Sequence, residues 1–149
     1  MQNEPIVIEI EVGAPVDRVW QAWTESNDLA AWLTARANIR AEVGGQYELF
    51  WEPAHPERNS TLGCTIISMR VNEILGFTWK GPVPYADLMN SDPPPTSVTV
   101  MFRVTDPERT VIRIEHTGWG PGPRWGEARG WQDRAWRGAL ARLKELLEK

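Results

Sequence analysis

The side chains able to do chemistry in this sequence are few and scattered. His55 and His116 lie far apart, and Cys64 is the single cysteine. No metal-ligand spacing results, so neither a metal nor a cofactor is assigned. The run Gly118-Trp119-Gly120-Pro121-Gly122-Pro123 is a poor phosphate cradle, because proline lacks the backbone N–H such a loop must point at an anion. No P-loop or nucleophile-elbow pattern occurs, and no catalytic residue is assigned. The chain is rich instead in tryptophan, with nine. The candidate ligand contacts are Trp32, Tyr47, Trp51, Phe77, Trp79, His116, Trp131 and Trp136. His116 is the histidine with an inward strand phase, suited to fixing a polar group of a ligand or to moving a proton. More often a lone histidine on an apolar face is a core residue bonded to a carbonyl or water. Cys64, in mid-strand, reads as a small buried hydrophobe.

These residues have to be positioned by a sheet and a helix. Ile6 to Val12 is β-branched and partly alternating, a strand stopped by Gly13-Ala14-Pro15. Val16, Val19, Trp20 and Trp23 follow at helical spacing behind Pro15 and Asp17, which suit a helix start. A second short helix is expected from Ser26 or Asn27, carrying Leu29, Trp32 and Leu33. Three strand pairs come next: 38–42 with 46–52, 62–69 with 74–80, and 97–104 with 110–117. A long amphipathic helix from Trp125 to Glu148 closes the chain, with Trp136, Leu140, Leu143 and Leu147 as one stripe and Trp131, Ala135, Ala139 and Leu146 broadening it.

Strand alternation assigns Tyr47, Leu49 and Trp51 to one face, opposite Glu48 and Glu52. Leu75, Phe77 and Trp79 share a phase, as do Val98, Val100, Phe102 and Val104, and Ile112, Ile114 and His116. These sets predict an aromatic wall facing the closing helix, with a cavity left between bulky rings. The hydroxyl of Tyr47 and the ring of His116 would orient a polar group there. The turns at 43–45, 70–73 and 105–109 are short and fall at one end of an antiparallel sheet. The connections at 53–61, 81–96 and 118–124 are long and fall at the other, which is therefore the expected mouth. The 81–96 connection, with Tyr85, Leu88 and Met89 among prolines, reads as an exposed lid or dimer contact.

Composition bounds the function. The 149 residues suit one domain, are 42% hydrophobic and 24% charged, and carry a net charge of −4. That balance disfavours a general nucleic-acid binder. Residues 124–149 hold seven Lys/Arg against four Asp/Glu, read as a solvated helix face with pairs such as Asp133–Arg137 and Glu145–Lys149. No apolar run approaches the ~20 residues of a membrane span. The lone cysteine fits a reducing, cytoplasmic setting.

Several segments together resemble the START-like SRPBCC superfamily: Ala14-Pro15-Val16-Asp17-Arg18-Val19-Trp20, Gly44-Gly45-Gln46-Tyr47, Leu75-Gly76-Phe77-Thr78-Trp79, Glu115-His116-Thr117-Gly118 and Gly130-Trp131. Within it the branch resembled is the C-terminal domain of the activator of heat-shock protein 90 ATPase. The resemblance implies an α+β helix-grip (START/Bet v-like) fold. In it a curved, seven-stranded antiparallel sheet wraps a long C-terminal helix, with two short helices after the first strand. Its members carry lipids, hormones or polyketides, cyclise substrates, or assist chaperones. The expected function is non-catalytic binding of a small hydrophobic molecule between sheet and helix. A chaperone-linked interaction module, a cyclase or dehydratase using His116, and a homodimer are the rival expectations. The co-chaperone branch adds an N-terminal domain not seen in this chain, so a chaperone partner ranks behind a ligand.

Overall fold

The structure, a computed structural model, describes residues 3–149. Strand β1 (Ile6–Val12) leads into helices α1 (Val16–Thr24) and α2 (Ser26–Trp32). Strands β2 (Arg36–Ile39), β3 (Tyr47–Phe50), β4 (Ile66–Arg70) and β5 (Ile74–Trp79) follow. A 3-10 turn at Val83–Tyr85 and the one-turn helix α3 (Ala86–Met89) precede β6 (Thr96–Asp106), β7 (Arg109–Thr117) and the long helix α4 (Pro123–Leu147). Pro15 ends the first strand as expected: its extended backbone caps α1, and its carbonyl accepts the Arg18 and Val19 N–H groups at 3.0 and 3.1 Å.

Seven strands form, but not one sheet. β1, β7, β6, β5 and β4 pair antiparallel in that order, while β2 and β3 stand apart as a hairpin. The cause lies between Trp51 and Thr65. Pro53 and Pro56 have no N–H to give a ladder, and Asn59 and Gly63 take left-handed φ values of 45° and 88°. The Thr61 hydroxyl replaces one rung by accepting the Leu49 N–H at 2.9 Å. Isolated bridges at Gln46↔Thr65 and Phe50↔Ser60, with backbone bonds such as Tyr47 N–H to the Cys64 carbonyl and Ile66 N–H to the Gly45 carbonyl, both at 2.9 Å, tie the hairpin to the following chain. The strand expected from Leu62 therefore begins at Ile66, and Cys64 sits buried in the connection. There, loss of hydration raises its thiol pKa, as befits an inert small hydrophobe.

Alternation holds along the main sheet. Leu75, Phe77, Trp79, Val98, Val100, Phe102, Ile112, Ile114 and His116 are all buried on its inner face. Val104 departs from its set and is 55% exposed, because a register shift beyond it carries the end of β6 past the core. β3 is covered on both faces; Glu48 is buried with its carboxylate accepting from Asn38 Nδ2 and Gly63 N–H, each at 2.8 Å. The 81–96 connection is not an exposed loop. Met89 is fully buried, Tyr85 and Leu88 pack against the core, and Asn90 closes the segment with bonds to the Gly81 N–H and carbonyl. α4 turns Ala128, Gln132, Trp136, Ala139, Leu140 and Leu143 inward. On its outer side Arg137 pairs with Asp133 at 2.6 Å, whereas Lys144 pairs with Glu148 in place of the expected Glu145–Lys149.

The space between sheet and helix is occupied by rings. Trp79 lies 5.0 Å from Trp136 and 5.9 Å from His116, which lies 4.6 Å from Trp119; Trp23 meets Trp32 at 4.8 Å; Tyr47 stacks on Phe77 at 4.0 Å. The Tyr47 hydroxyl donates to the Trp23 carbonyl at 2.6 Å, and burial raises its pKa well above the ordinary value. His116 Nδ1 accepts the Trp136 indole N–H at 3.0 Å, which assigns the ring proton to Nε2.

Burial lowers the His116 pKa from 6.5 to about 3, so the folded ring is neutral. As pH falls, the unfolded chain takes up this proton first. The contribution of His116 to stability is therefore intact above 6.5 and lost progressively between 6.5 and about 3. His116→Gln keeps an acceptor for Trp136 and cannot titrate. It should flatten the acid-side fall in urea-unfolding free energy by up to about 1.4 kcal/mol per pH unit. Parallel profiles for the two proteins would mean that the folded ring titrates like the unfolded one.

Candidate functional site

Free volume lies at the rim of the aromatic core. A cleft of about 500 Å³ opens between the outer shoulder of α4, the end of the β3–β4 connection and the end of β5. α4 contributes Trp131, Arg134, Ala135, Gly138 and Arg142, positions three or four apart that a 3.6-residue period stacks along one face. β5 and the turn after it bring Trp79, Lys80, Gly81 and Pro82; the connection brings Trp51, Asn59 and Ser60; Leu33, Gln132, Trp136 and Ala139 complete the wall.

The walls are held by bonds that leave little rotational freedom. Trp51 donates its indole N–H to the Leu33 carbonyl at 2.9 Å and meets Trp79 edge-on at 6.0 Å. Trp79 in turn donates to Gln132 Oε1 at 3.1 Å, a bond between a strand and α4 buried behind the cleft. Asn59 is engaged on both ends of its amide, with the Val83 N–H at 2.8 Å and the Glu52 carboxylate. Its left-handed backbone turns the chain back toward β5. Two indoles stay partly open: Trp51 is 38% and Trp131 39% exposed, while Trp79 and Trp136 are all but buried. Among the described residues the lining contains three cationic side chains, Lys80, Arg134 and Arg142, and no carboxylate.

Of the residues singled out from sequence, Trp51, Trp79, Trp131 and Trp136 come together around this cleft. Tyr47, Phe77 and His116 are fully buried in the core and do not line it. Trp32 is buried beside α1, donating to the Ala22 carbonyl at 2.8 Å, and its own carbonyl accepts from Arg142 Nε at 3.0 Å. Two of the three long connections border the cleft. The third, 118–122, is folded shut over the end of β7, where Trp119 is buried and donates to the His116 carbonyl at 2.9 Å.

Arg134, Gly138, Arg142 and Gln132 were not singled out from sequence. The available signal was the spacing Trp131, Ala135, Gly138, Arg142: small residues on one helical face, framed by an aromatic and a cation. Glycine inside a helix costs about 0.5–1 kcal/mol relative to alanine, so its presence on that face marks a surface kept low.

No curated protein matches this chain. Solved structures do. The chain is similar to protein MLL2253 from Mesorhizobium loti, with a TM-score of 0.76 at 23% identity, covering 96% of each chain. It is similar to PFC0360w, an HSP90 activator from Plasmodium falciparum, with a TM-score of 0.74 at 17% identity, covering 97% of this chain and 96% of that one. The Aha1 dimer from Colwellia psychrerythraea, known from its solution structure, gives a TM-score of 0.71 at 17% identity with the same coverage. At these identities the likeness establishes the fold. The family described as Activator of Hsp90 ATPase homolog 1-like protein matches residues 13–148, and with that match over nearly its whole length the chain belongs to this family.

Proposed function

We propose that the protein is a non-catalytic binder of a small hydrophobic molecule, held in the rim cleft against Trp51, Trp79, Trp131 and Trp136. The observation that carries this reading is the cleft itself. Its volume of about 500 Å³ lies inside the roughly 300–1,000 Å³ common for ligand sites, and four indoles with a few polar groups match their usual lining. Trp131 has no aromatic partner among the described residues and is half in water, an arrangement that a stacked ligand would complete. The lining holds no histidine, cysteine or carboxylate among the described residues. Binding is therefore favoured over proton-transfer chemistry, and His116 contributes by holding Trp136 in place.

Self-association is a second reading, favoured by a separate feature. β4 is an edge of the main sheet whose first residue, Ile66, bonds Gly44 and Gly45; past it, Ile67 and Val71 just beyond the strand are 50% and 59% exposed. Unpaired apolar edges are templates for a second copy, and the similar Aha1 from Colwellia psychrerythraea is a dimer. Native mass spectrometry should show a dimer that Ile67→Lys converts to monomer; a wild-type monomer at high concentration would end this reading.

Gly138 offers the direct test of the cleft. A Cβ there meets only Arg142 Nη1, at 3.7 Å, so Gly138→Ala should fit and raise helix stability by about 0.5–1 kcal/mol. Gly138→Leu should fill the cleft. Fluorescence titration with N-phenyl-1-naphthylamine should show saturable binding to the native protein, weaker binding to Gly138→Ala and little to Gly138→Leu. Equal affinity in all three would place the probe elsewhere and refute the site.

A further inference from the structure

Resting on the reading above, we infer that the ligand is an anion: a hydrophobic body with one acidic head group, which Arg142 receives at the open side of the cleft while Arg134 adds positive charge along the same wall. The first observation is selective neutralisation along α4. Arg124 forms a two-point pair with Asp87, Arg129 pairs with Asp133 and bonds the Glu4 and Pro5 carbonyls, and Arg137 pairs with Asp133. The two arginines that line the cleft are the exceptions. Arg134 has no ion pair or hydrogen bond among the described residues, and Arg142 uses only Nε, on the Trp32 carbonyl. Both terminal nitrogens of each guanidinium are thus free of protein acceptors.

The second observation is where those nitrogens lie. Each arginine follows a glycine by one helical turn. Arg134 Nη1 is 3.6 Å from the position a Cβ would take on Gly130, and Arg142 Nη1 is 3.7 Å from that position on Gly138. Both side chains therefore fold back along the helix toward its N-terminus, over the low ground the glycines leave, and Gly138 itself lines the cleft. The two guanidiniums lie about two helical turns (~12 Å) from each other, so each offers its own fork; the one over Gly138, on the cleft floor, suits the planar oxygens of a carboxylate or the equivalent oxygens of a sulfonate. Lys80 lines the same cleft but donates Nζ to the Leu62 carbonyl at 2.7 Å, leaving it as a supporting charge. The acids next to lining residues in the chain are already engaged, Glu52 by the Asn59 amide and Asp133 by Arg129 and Arg137. In a molecule of net charge −4 this local excess of cation against indole is a property of the site and not of the surface at large.

The test uses two probes with one skeleton, 8-anilinonaphthalene-1-sulfonate and the uncharged N-phenyl-1-naphthylamine. Both are titrated into the full chain, into Arg134→Gln/Arg142→Gln and into Gly138→Leu, with thermal unfolding confirming that each variant is folded. The sulfonate should bind native protein about tenfold or more tighter than the neutral probe and weaken as sodium chloride rises. In the double arginine variant the sulfonate should lose its advantage over the neutral probe. Equal affinity of the two probes for native protein would overturn the anion assignment while leaving the hydrophobic site standing. So would a preference for the sulfonate that survives the double substitution. Failure of both probes to bind, or binding untouched by Gly138→Leu, would remove the site and this inference together.

Discussion

The contact between Trp136 and the pair Trp79–His116 fixes how α4 is rolled on the sheet. The indole packs 5.0 Å from Trp79 and donates its N–H to His116 Nδ1 at 3.0 Å, so both translation and rotation of the helix are set at one point. With 100° per residue as the helical constant, turning the stripe of Gln132, Trp136, Ala139 and Leu143 inward leaves Trp131, Gly138 and Arg142 roughly 90–135° from its centre, on the flank that borders the cleft. The cleft is a consequence of that roll. His116 serves it best as a neutral acceptor, which its burial enforces.

Filling the grip with rings has a second consequence. Tyr47 and Phe77 stack, Trp23 and Trp32 meet edge-on, and Trp119 closes the end of β7, so the centre is packed and room survives where α4 and the β5 end diverge. Several polar tips are turned to backbone and side-chain acceptors, Trp51 to Leu33, Trp32 to Ala22, Tyr47 to Trp23 and Trp79 to Gln132, whereas the buried Trp23 indole N–H has no partner among the described residues. Such bonds hold the walls in one arrangement and leave apolar faces toward the cleft, the division of labour expected where a polar tip is tied and an apolar body exposed.

Much of this was legible in the sequence because period and punctuation are local. The Pro15 stop, the three hairpin pairings, the inward sets around Phe77 and His116, and the closing helix all follow from alternation, helical spacing and turn residues. What the sequence hid was set by tertiary partners. A regular ladder is interrupted at Leu49, where the Thr61 hydroxyl takes a rung, and no pattern in 60–66 announces that. Met89 looked exposed among prolines, yet Asn90 clamps its segment onto Gly81 and buries it. The arginines of α4 look alike in sequence. Which of them find carboxylates depends on α3 and on neighbouring turns of α4, so the two without a carboxylate among the described residues could only be seen in three dimensions.

Membership of the family fixes the architecture, and the cleft adds indole walls, a glycine floor and two guanidinium groups with no carboxylate partner among the described residues. The most direct measurement is an NMR titration following the indole N–H signals of the nine tryptophans as N-phenyl-1-naphthylamine is added. A ligand in the rim cleft should move the signals of Trp51, Trp79, Trp131 and Trp136 along one saturation curve and leave Trp20, Trp23, Trp119 and Trp125 in place. Saturable shifts confined to the second group, or no saturable shift at all, would contradict the account.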